Sequence, residues 1–599
     1  MTHSLHTFSI PVMGTGHSID SPIRVAPYGI DSVISVVDDL LVEKIRKYYT
    51  EKFNLPYKNI PRSAEDGRAK RITAYLDLVH DIVHRTFDEL KSQPFFEDND
   101  KAKYFRMLPE GNPLKSVYQQ LLKMTDENER SGLSQKLEAM MRPGSIDVNI
   151  MAKVDKLNFT KSGEPMSAEY SDGSAALRGF ALSKLSSSLV LSAGFNPRLY
   201  NYLAEFKDFY RDASGNIKKK IILKVSDFRS ALIQGKYLAK KGLEVFEYRI
   251  ESGLNCGGHA FATDGLLLPV LLKEFKEKKE MLSSVIRPLI AKFYEEERGG
   301  FSEDWKFTAP RITVQGGIGT NGEMKRLLGE YDMDSTGWGS PFLLVPEATT
   351  VDKTTRTLLE NAKEEDLYLS GVSPLGVPFN NVRNTGSKQW HQERIEKGKP
   401  GSQCPKGFLE SNTEFTENPI CTASTQYQLL KIDQINHSDY PEAKKERLKT
   451  KVLDKACLCD HLGNGALIQL GIQKESRSPQ AICPGPNIAY FNGEYTLEEM
   501  VDHIYGRGES LVDGDRPHMF AKELRMYVDY LQDLVDQQEA DPAEDKKLVR
   551  FRKNLESGMD YCLEIAASEA FEGENLRSII DTVQKEKLRL EHIFSLAVA

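Results

Sequence analysis

The stretch RITVQGGIGTNGEMKRLLGEYDMDSTGWGS, residues 311–340, decides how the middle of this chain folds. A β-branched run ends in Gly316–Gly317, a helix-length segment starts near Asn321, and a second short run leads into the turn at 337–340. This strand–glycine–helix–strand order is typical of a parallel βα unit. Glycine-freed backbone N–H groups beside a helix start can hold a phosphate. The two turns therefore predict one phosphate gripped from both sides.

Four runs of the same kind lie before this stretch, and two more belong to it. Amphipathic helical segments lie between several of them. In chain order they are SIDVNIMAKV (145–154), SSLVLSAG (187–194), IILKVSD (221–227), EVFEYRIESG (244–253), PRITVQGG (310–317) and DSTGWGSPFLL (334–344). Near-continuous apolar strands in alternation with helices indicate parallel βα units, and so many in series favour a closed barrel over an open sheet. We therefore predict an α/β fold, a (β/α)8 TIM barrel, whose site lies at the C-terminal ends of the strands.

The barrel pattern is interrupted, which predicts four segments. We expect the barrel over 1–35 and 141–390, a helical insertion over 36–140 after the first strand, a cysteine-bearing region over 391–500 and a helical segment over 501–599. The segment 265–298 predicts one or two helices within the barrel. In the last segment one apolar face has helical spacing: Leu524, Tyr527, Val528, Leu531, Leu534 and Val535.

Composition limits the classes of function. The 599 residues are 40% hydrophobic and 28% charged, and the net charge of −8 gives no basic stripe for nucleic acid. No apolar run is long enough to span a membrane, and the N-terminus does not read as a secretory signal. We expect a cytoplasmic protein that acts on a small molecule and is able to form a homo-oligomer.

The stretch ESGLNCGGHAF, 251–261, presents a histidine directly after two glycines at a strand end. Because neither glycine carries a Cβ, the backbone can approach a ligand closely there and offer His259 to it. In the strand before it, Glu247, Arg249 and Glu251 share one face. These charges indicate either a polar substrate inside the barrel or a salt-bridged layer beneath it.

Three segments carry a resemblance to a known family: ESGLNCGGHAF, residues 311–349 and SPLGVPFNNVRN. In this order they resemble the nitronate monooxygenase (2-nitropropane dioxygenase-like) family of FMN-dependent TIM barrels, which includes flavin enoyl-acyl-carrier-protein reductases. The resemblance spans roughly 8–35 and 143–385. It departs at Cys256, where the family motif has alanine.

The resemblance implies roles for individual residues. His259 would act as the base beside the flavin, with Cys256 next to it. The implied FMN-binding residues are Met13, Gly14, Asn149, Lys224, Gly257, Gly258, Gln315, Gly316, Gly317, Gly337, Trp338, Gly339 and Ser340. Lys224 would donate to the flavin edge that carries negative charge on reduction.

Five of the seven cysteines lie between 404 and 483. The C-x-C pair Cys457 and Cys459, with Cys421 and Cys483, forms our preferred ligand quartet for a [4Fe–4S] cluster, and Cys404 is the substitute. Zinc ligation and unligated thiols remain open as alternatives.

These observations favour an FMN-dependent oxidoreductase acting on a small polar substrate. Two other functions stay open. One is an iron–sulfur flavin reductase of the enoyl-thioester type, and the other is a phosphate-binding barrel without redox chemistry, either a lyase or a sensor.

Overall fold

The computed structural model describes residues 4–151, 155–160, 162–300, 302, 305, 307–536 and 542–597. Its strands are β1 (Phe8–Ser9), β2 (Ser32–Ser35), β3 (Ile146–Asn149), β4 (Ser188–Leu191), β5 (Lys220–Val225), β6 (Val245–Glu251), β7 (Arg311–Gln315), β8 (Ser335–Gly337), β9 (Leu367–Ser370) and β10 (Phe379–Val382).

Twenty α-helices lie within these described residues. They are α1 (Ser21–Val25), α2 (Asp39–Lys52), α3 (Gly67–Lys91), α4 (Asp100–Met107), α5 (Pro113–Lys123), α6 (Glu127–Met140), α7 (Asp172–Ala181), α8 (Pro197–Leu203), α9 (Phe228–Ala239), α10 (Leu268–Glu297), α11 (Asn321–Gly329), α12 (Lys353–Glu360), α13 (Gly386–Glu396), α14 (Thr425–Asn436), α15 (Glu442–Leu453), α16 (Leu458–Gln469), α17 (Leu497–Ile504), α18 (Met519–Asp536), α19 (Pro542–Ala566) and α20 (Leu576–Ala597).

Strands β1–β8 form one parallel sheet in the order β1-β8-β7-β6-β5-β4-β3-β2. A parallel bridge between Ile10 and Ser32 brings β1 beside β2, so the sheet is a nearly closed barrel. The predicted (β/α)8 barrel is confirmed. None of the helices in the described ranges combines the length and apolar character that crossing a bilayer requires.

The position of the helical insertion differs from the prediction. Helices α2–α6 follow β2 rather than the first strand, because SVIS at 32–35 forms a fully buried strand. Periodicity does not reveal this strand, because β1 and β2 have only two and four residues. The segment 265–298 forms the single helix α10.

Two other predicted strands differ at their ends. The predicted run 145–154 yields a strand only over Ile146–Asn149, and 152–154 lie outside the described residues. In the run 334–344 the strand stops at Gly337, and Ser340–Leu344 turn into a short 3-10 helix because Pro341 cannot donate to a strand ladder.

Successive side chains of β6 point in turn toward the barrel interior and toward the surrounding helices. Tyr248 points outward, and a Cβ on Gly235 of α9 would lie 2.1 Å from its hydroxyl, so that glycine lets the helix pack closely on the strand. Glu247 and Arg249 point inward and form a buried ion pair of 2.7 Å.

The chain after residue 391, which we call the C-terminal extension, wraps back onto the barrel. Within it α18 packs against α20, and α19 also contacts α10 of the barrel. On the predicted apolar face of α18, Leu524, Tyr527, Val528 and Leu531 are fully buried, while Leu534 and Val535 are partly buried. The extension therefore shares the hydrophobic core of the barrel.

Candidate active site

One cavity opens at the C-terminal ends of the barrel strands. All fifteen residues that the resemblance assigned to FMN binding or catalysis line it: Met13, Gly14, Asn149, Lys224, Cys256, Gly257, Gly258, His259, Gln315, Gly316, Gly317, Gly337, Trp338, Gly339 and Ser340. The strand order brings them together, because carboxyl ends of parallel strands meet at one end of a barrel.

Four backbone N–H groups on two neighbouring loops have no acceptor among the described residues. They belong to Gly317 and Ile318 after β7 and to Gly339 and Ser340 after β8, and no described residue accepts a hydrogen bond from them. All four residues line the cavity. Because buried backbone donors are nearly always paired, this group of donors is suited to an anion.

Glycine is required at two of these loop positions. Gly317 has φ of +79°, and a Cβ there would lie 2.0 Å from Nδ2 of Asn255. A Cβ on Gly337 would lie 2.8 Å from Cβ of Gln315. Any larger residue at either position would displace the loop that carries the free donors.

A polar cluster crosses the ends of β5, β6 and β7. The Lys224 ammonium lies 2.8 Å from the Glu251 carboxylate, and the Gln315 side-chain amide donates to the same carboxylate over 2.8 Å. The side-chain oxygen Oε1 of Gln315 is buried and has no donor within the described residues. The cavity therefore offers a free acceptor next to a paired charge.

His259 lines the cavity beside β10, where it forms an isolated bridge with Phe379. Its Nε2 lies 2.7 Å from Oγ of Ser373, and its ring meets the Phe379 ring edge-on at 5.0 Å. The peptide N–H of Ala260 donates to the carbonyl of Pro378, which ties the histidine loop to the chain before β10. These contacts fix the orientation of the imidazole toward the cavity.

Cys256 has a protonated thiol at neutral pH. Burial, and then the nearby Glu251 carboxylate, raise the pKa of this thiol well above its ordinary value of 9.0. A Cβ on Gly316 would lie 2.5 Å from Sγ, so the thiol fills the space behind the glycine loop. A protonated thiol is a poor nucleophile, and this environment favours a packing role.

The first-strand side of the cavity is built from Met13, Gly14 and the end of β3. Gly14 has φ of +58°, and a Cβ on it would press against the His17 ring at 2.9 Å. Asn149 is buried, and its Oδ1 accepts from the N–H of Met151, which holds Met151 in a left-handed conformation with φ of +51°.

His17 lines the same cavity, and neither of its ring nitrogens has a partner in the described part of the chain. It is 1% exposed, and burial lowers its pKa, so the ring is neutral. Oδ2 of the neighbouring Asp352 is likewise buried without a donor.

The charged face of β6 divides between two ends of the barrel. Glu251 belongs to the cavity, whereas Glu247 and Arg249 pair with each other beneath it, where Thr313 also donates to Glu247 over 2.7 Å. The salt-bridged layer is therefore found at Glu247 and Arg249, whereas Glu251 lies at the cavity and the polar substrate stays a prediction. Beside the buried pair, burial raises the pKa of Asp147 to about 6.

The predicted cysteine quartet is not assembled as a ligand set. Cys483 faces the cavity and packs with Phe379 and Leu462, whereas Cys421 interacts with Cys404. Across the ranges that the structure describes, no three histidine, cysteine, aspartate or glutamate side chains are grouped so as to hold a metal ion. The reason is the chain path, because residues 480–487 run to the barrel mouth and carry Cys483 away from the other thiols.

Several residues at the site come from the C-terminal extension, and spacing in the sequence did not indicate them. The N–H of Gly485 donates to Oγ of Ser340 over 2.7 Å, and the carbonyl of Cys483 accepts from Gly258 over 3.2 Å. Asn487 lines the cavity and donates to the carbonyl of Ile318. The sequence assigned Cys483 to the cysteine-bearing region, but it did not indicate that this segment lies over the barrel.

Comparisons with known proteins give little beyond this geometry. No family model and no curated protein matches the chain. Among solved structures, FabK from Thermotoga maritima aligns with 11% sequence identity and a TM-score of 0.31, over 68% of this chain and 86% of that one. The enoyl reductase domain of MlnA from the macrolactin biosynthesis cluster of Bacillus amyloliquefaciens aligns with 16% identity and a TM-score of 0.35, over 70% and 89%. Scores this low carry no argument.

Proposed function

We propose that this chain is an FMN-dependent oxidoreductase of the nitronate monooxygenase-like kind that acts on a small polar substrate. The observation that carries the proposal is the set of four unpaired backbone N–H groups on the two loops after β7 and β8. They lie on the same cavity as the polar strand ends and His259. A phosphate donor set joined to a deep, partly polar cavity suits a phosphorylated aromatic cofactor.

The residues present fit FMN at both ends. The N–H groups of Gly317, Ile318, Gly339 and Ser340 would hold the phosphate. At the strand ends, Oε1 of the Gln315 side chain is buried without a donor among the described residues, and Lys224 supplies a positive charge on the same polar cluster. The flavin, when bound, supplies the two-electron redox chemistry that no side chain provides.

In this proposal His259 moves the proton. An imidazole exchanges a proton near neutral pH, which suits it to act on a carbon next to an electron-withdrawing group. Ser373 holds its Nε2, and Phe379 limits rotation of the ring. Ser373 and Phe379 therefore orient the base.

The rest of the cavity wall shapes the substrate class. Phe261, Leu343 and Ile482 supply apolar surface that excludes water from the reacting atoms. Lys224 and Glu251 bring paired charge to the opposite side, which favours a polar substrate over a hydrocarbon. The proposal includes no iron–sulfur cluster, because no ligand grouping for one occurs within the described residues.

The first experiment asks for the cofactor. Protein purified gently should be yellow, and heat should release FMN, identified against FAD and riboflavin by chromatography. Colourless protein that gains no flavin absorbance on incubation with FMN would refute the proposal and leave a non-redox phosphate-binding barrel.

The second experiment tests which reaction the protein catalyses and whether His259 is needed for it. Dioxygen uptake with small alkyl nitronates should exceed the oxidation of NADH or NADPH with an enoyl thioester; the opposite ranking would favour the reductase alternative. His259→Asn should retain FMN while turnover falls by about 100-fold or more. His437→Asn, at an exposed histidine far from the cavity, is the matched control.

A further inference from the structure

Three consecutive carbonyls in the loop after β7 are each held by a side chain of the C-terminal extension. The carbonyl of Gly317 accepts from Nη2 of Arg516 over 2.6 Å. The carbonyl of Ile318 accepts from Nδ2 of Asn487 over 2.8 Å. The carbonyl of Gly319 lies 2.9 Å from Nε2 of His503. We call Asn487, His503 and Arg516 the carbonyl clamp.

The members of the clamp are buried and joined to one another. Arg516 is 5% exposed, and its Nε donates to Oδ1 of Asn487 over 3.0 Å. Its Nη1 donates to Oε1 of Glu323 over 2.7 Å, and Oε2 of the same carboxylate accepts from the N–H of Gly319 over 2.8 Å. A buried arginine paired in this way is fixed in position, because displacement would leave Glu323 uncompensated.

His503 is held in the tautomer that the clamp needs. Burial lowers the pKa of His503 to about 4, so its ring is neutral. Its Nδ1 accepts from the N–H of Leu511 over 3.1 Å, which leaves the proton on Nε2, the atom facing the carbonyl of Gly319.

Within the clamp, Arg516 sets the direction of one free N–H group, and Asn487 holds both Arg516 and the next peptide unit, whose N–H donates from Gly319 to Glu323. A peptide unit is planar and trans, so its C=O and its N–H point in opposite directions. Arg516 draws the carbonyl of Gly317 toward the extension, and the N–H of Ile318 therefore points the other way. Ile318 lines the cavity, and its N–H is one of the four donors without an acceptor.

We propose that Asn487, His503 and Arg516 are positioning residues for the anion-binding loop, so that the C-terminal extension is an integral part of the phosphate site. The inference rests on the proposed function for the identity of the anion, a flavin phosphate. It gives the extension a role at the site besides covering the barrel.

The test compares two flavins that differ only in the phosphate. Apoprotein is titrated with FMN and with riboflavin, and flavin fluorescence gives both dissociation constants. Wild type should bind FMN more tightly. Asn487→Leu removes one tether without changing charge and should reduce the preference for FMN about tenfold, with riboflavin affinity unchanged. Arg516→Lys keeps the charge near Glu323, but a lysine cannot bond Glu323, Asn487 and the Gly317 carbonyl at once. We therefore expect an intermediate reduction of the preference for FMN.

The controls separate positioning from general stability. Arg211 is a buried arginine paired with Glu244 on the barrel, away from the cavity, so Arg211→Lys should leave the preference intact. A variant that lowers both flavin affinities equally has a structural effect only and overturns the inference, as does a variant that keeps the full FMN preference. Wild type with equal affinity for both flavins would instead refute the phosphate site of the proposed function. If Asn487→Leu fails to fold, His503→Gln is titrated with FMN and riboflavin instead. It should likewise reduce the preference for FMN and leave riboflavin affinity unchanged.

Discussion

Lys224 and Glu251 face each other across the ends of adjacent strands, with Nζ 2.8 Å from the carboxylate. Both side chains are largely buried, at 16% and 24% exposure. Gln315 on the next strand bonds the same carboxylate. The pair thus places a compensated charge in the cavity wall, and either partner alone would leave an uncompensated one.

Removing Lys224 should therefore harm flavin binding more than removing the pair. In Lys224→Met the Glu251 carboxylate loses the ammonium that lies 2.8 Å from it, and FMN affinity should fall about tenfold because the cavity wall then carries one more net negative charge toward an anionic ligand. Lys224→Met combined with Glu251→Gln should recover most of that loss. Fluorescence titration of the apoprotein measures both, and equal losses in the single and double variants would contradict the charge argument.

Gly317 offers a steric test with a matched control. Gly317→Ala should abolish tight FMN binding and cost about 1–3 kcal/mol of stability, because the new Cβ meets Asn255 at 2.0 Å. Gly508 has nearly the same φ, +77°, and nothing within 4 Å of a Cβ, so Gly508→Ala carries only the backbone strain. Thermal unfolding and FMN titration should separate the two variants. Identical behaviour would mean that the loop adjusts freely.

We expect His17 to lower the stability of the apoprotein and to contribute to ligand binding. Both ring nitrogens are buried without a partner in the described chain, at a cost of about 1–3 kcal/mol unless a ligand or water bonds them. His17→Phe should raise the melting temperature of the apoprotein and weaken cofactor or substrate binding several-fold. If the melting temperature falls and binding is unchanged, the imidazole is a packing residue and not part of the site.

Glu523 of α18 should make stability depend on pH. Burial raises the pKa of this carboxyl from 4.5 to about 7, and it accepts from the N–H of Leu268 over 2.7 Å and from the hydroxyl of Ser252 over 2.5 Å. Since the folded protein holds the proton more tightly than the unfolded chain, stability falls as pH rises between about 4.5 and 7, by about 3 kcal/mol in all.

The variant that checks this is Glu523→Gln. It stays neutral at every pH, so its melting temperature should exceed that of wild type by a margin that grows from pH 5 to pH 7.5. A margin that does not change with pH would show that Glu523 does not titrate in this range.

The order of motifs along the chain was sufficient to predict the barrel and the cavity wall. Short apolar strands ending in glycine, repeated with helices between them, leave a parallel closed sheet as the arrangement that buries them. Because side chains at the carboxyl ends of parallel strands share one rim, Gly317, Gly337 and His259 could be assigned to one cavity before any distance was known. The prediction failed at β2, where a four-residue strand has too short a pattern to be seen.

The positions of side chains in the C-terminal extension could not be predicted from local sequence patterns. Residues 480–487 read as a cysteine-bearing turn, and five nearby cysteines suggested a cluster, but sequence proximity does not fix where thiols point. The chain path carried Cys483 to the barrel mouth and left the other thiols elsewhere. The contacts of Asn487, His503 and Arg516 with one loop likewise join residues more than 160 positions apart in the chain.

By itself, then, the sequence determined the barrel, the glycine loops and the histidine that faces the cavity, because each follows from periodicity or from backbone freedom within a few residues. Only the tertiary structure decided that the loop carbonyls are turned outward by the extension, that Lys224 is paired with Glu251, and that Cys483 lies at the cavity while Cys404 interacts with Cys421. Those features depend on the packing of distant segments against one another, and their hydrogen bonds and charge compensation exist only after the chain has folded.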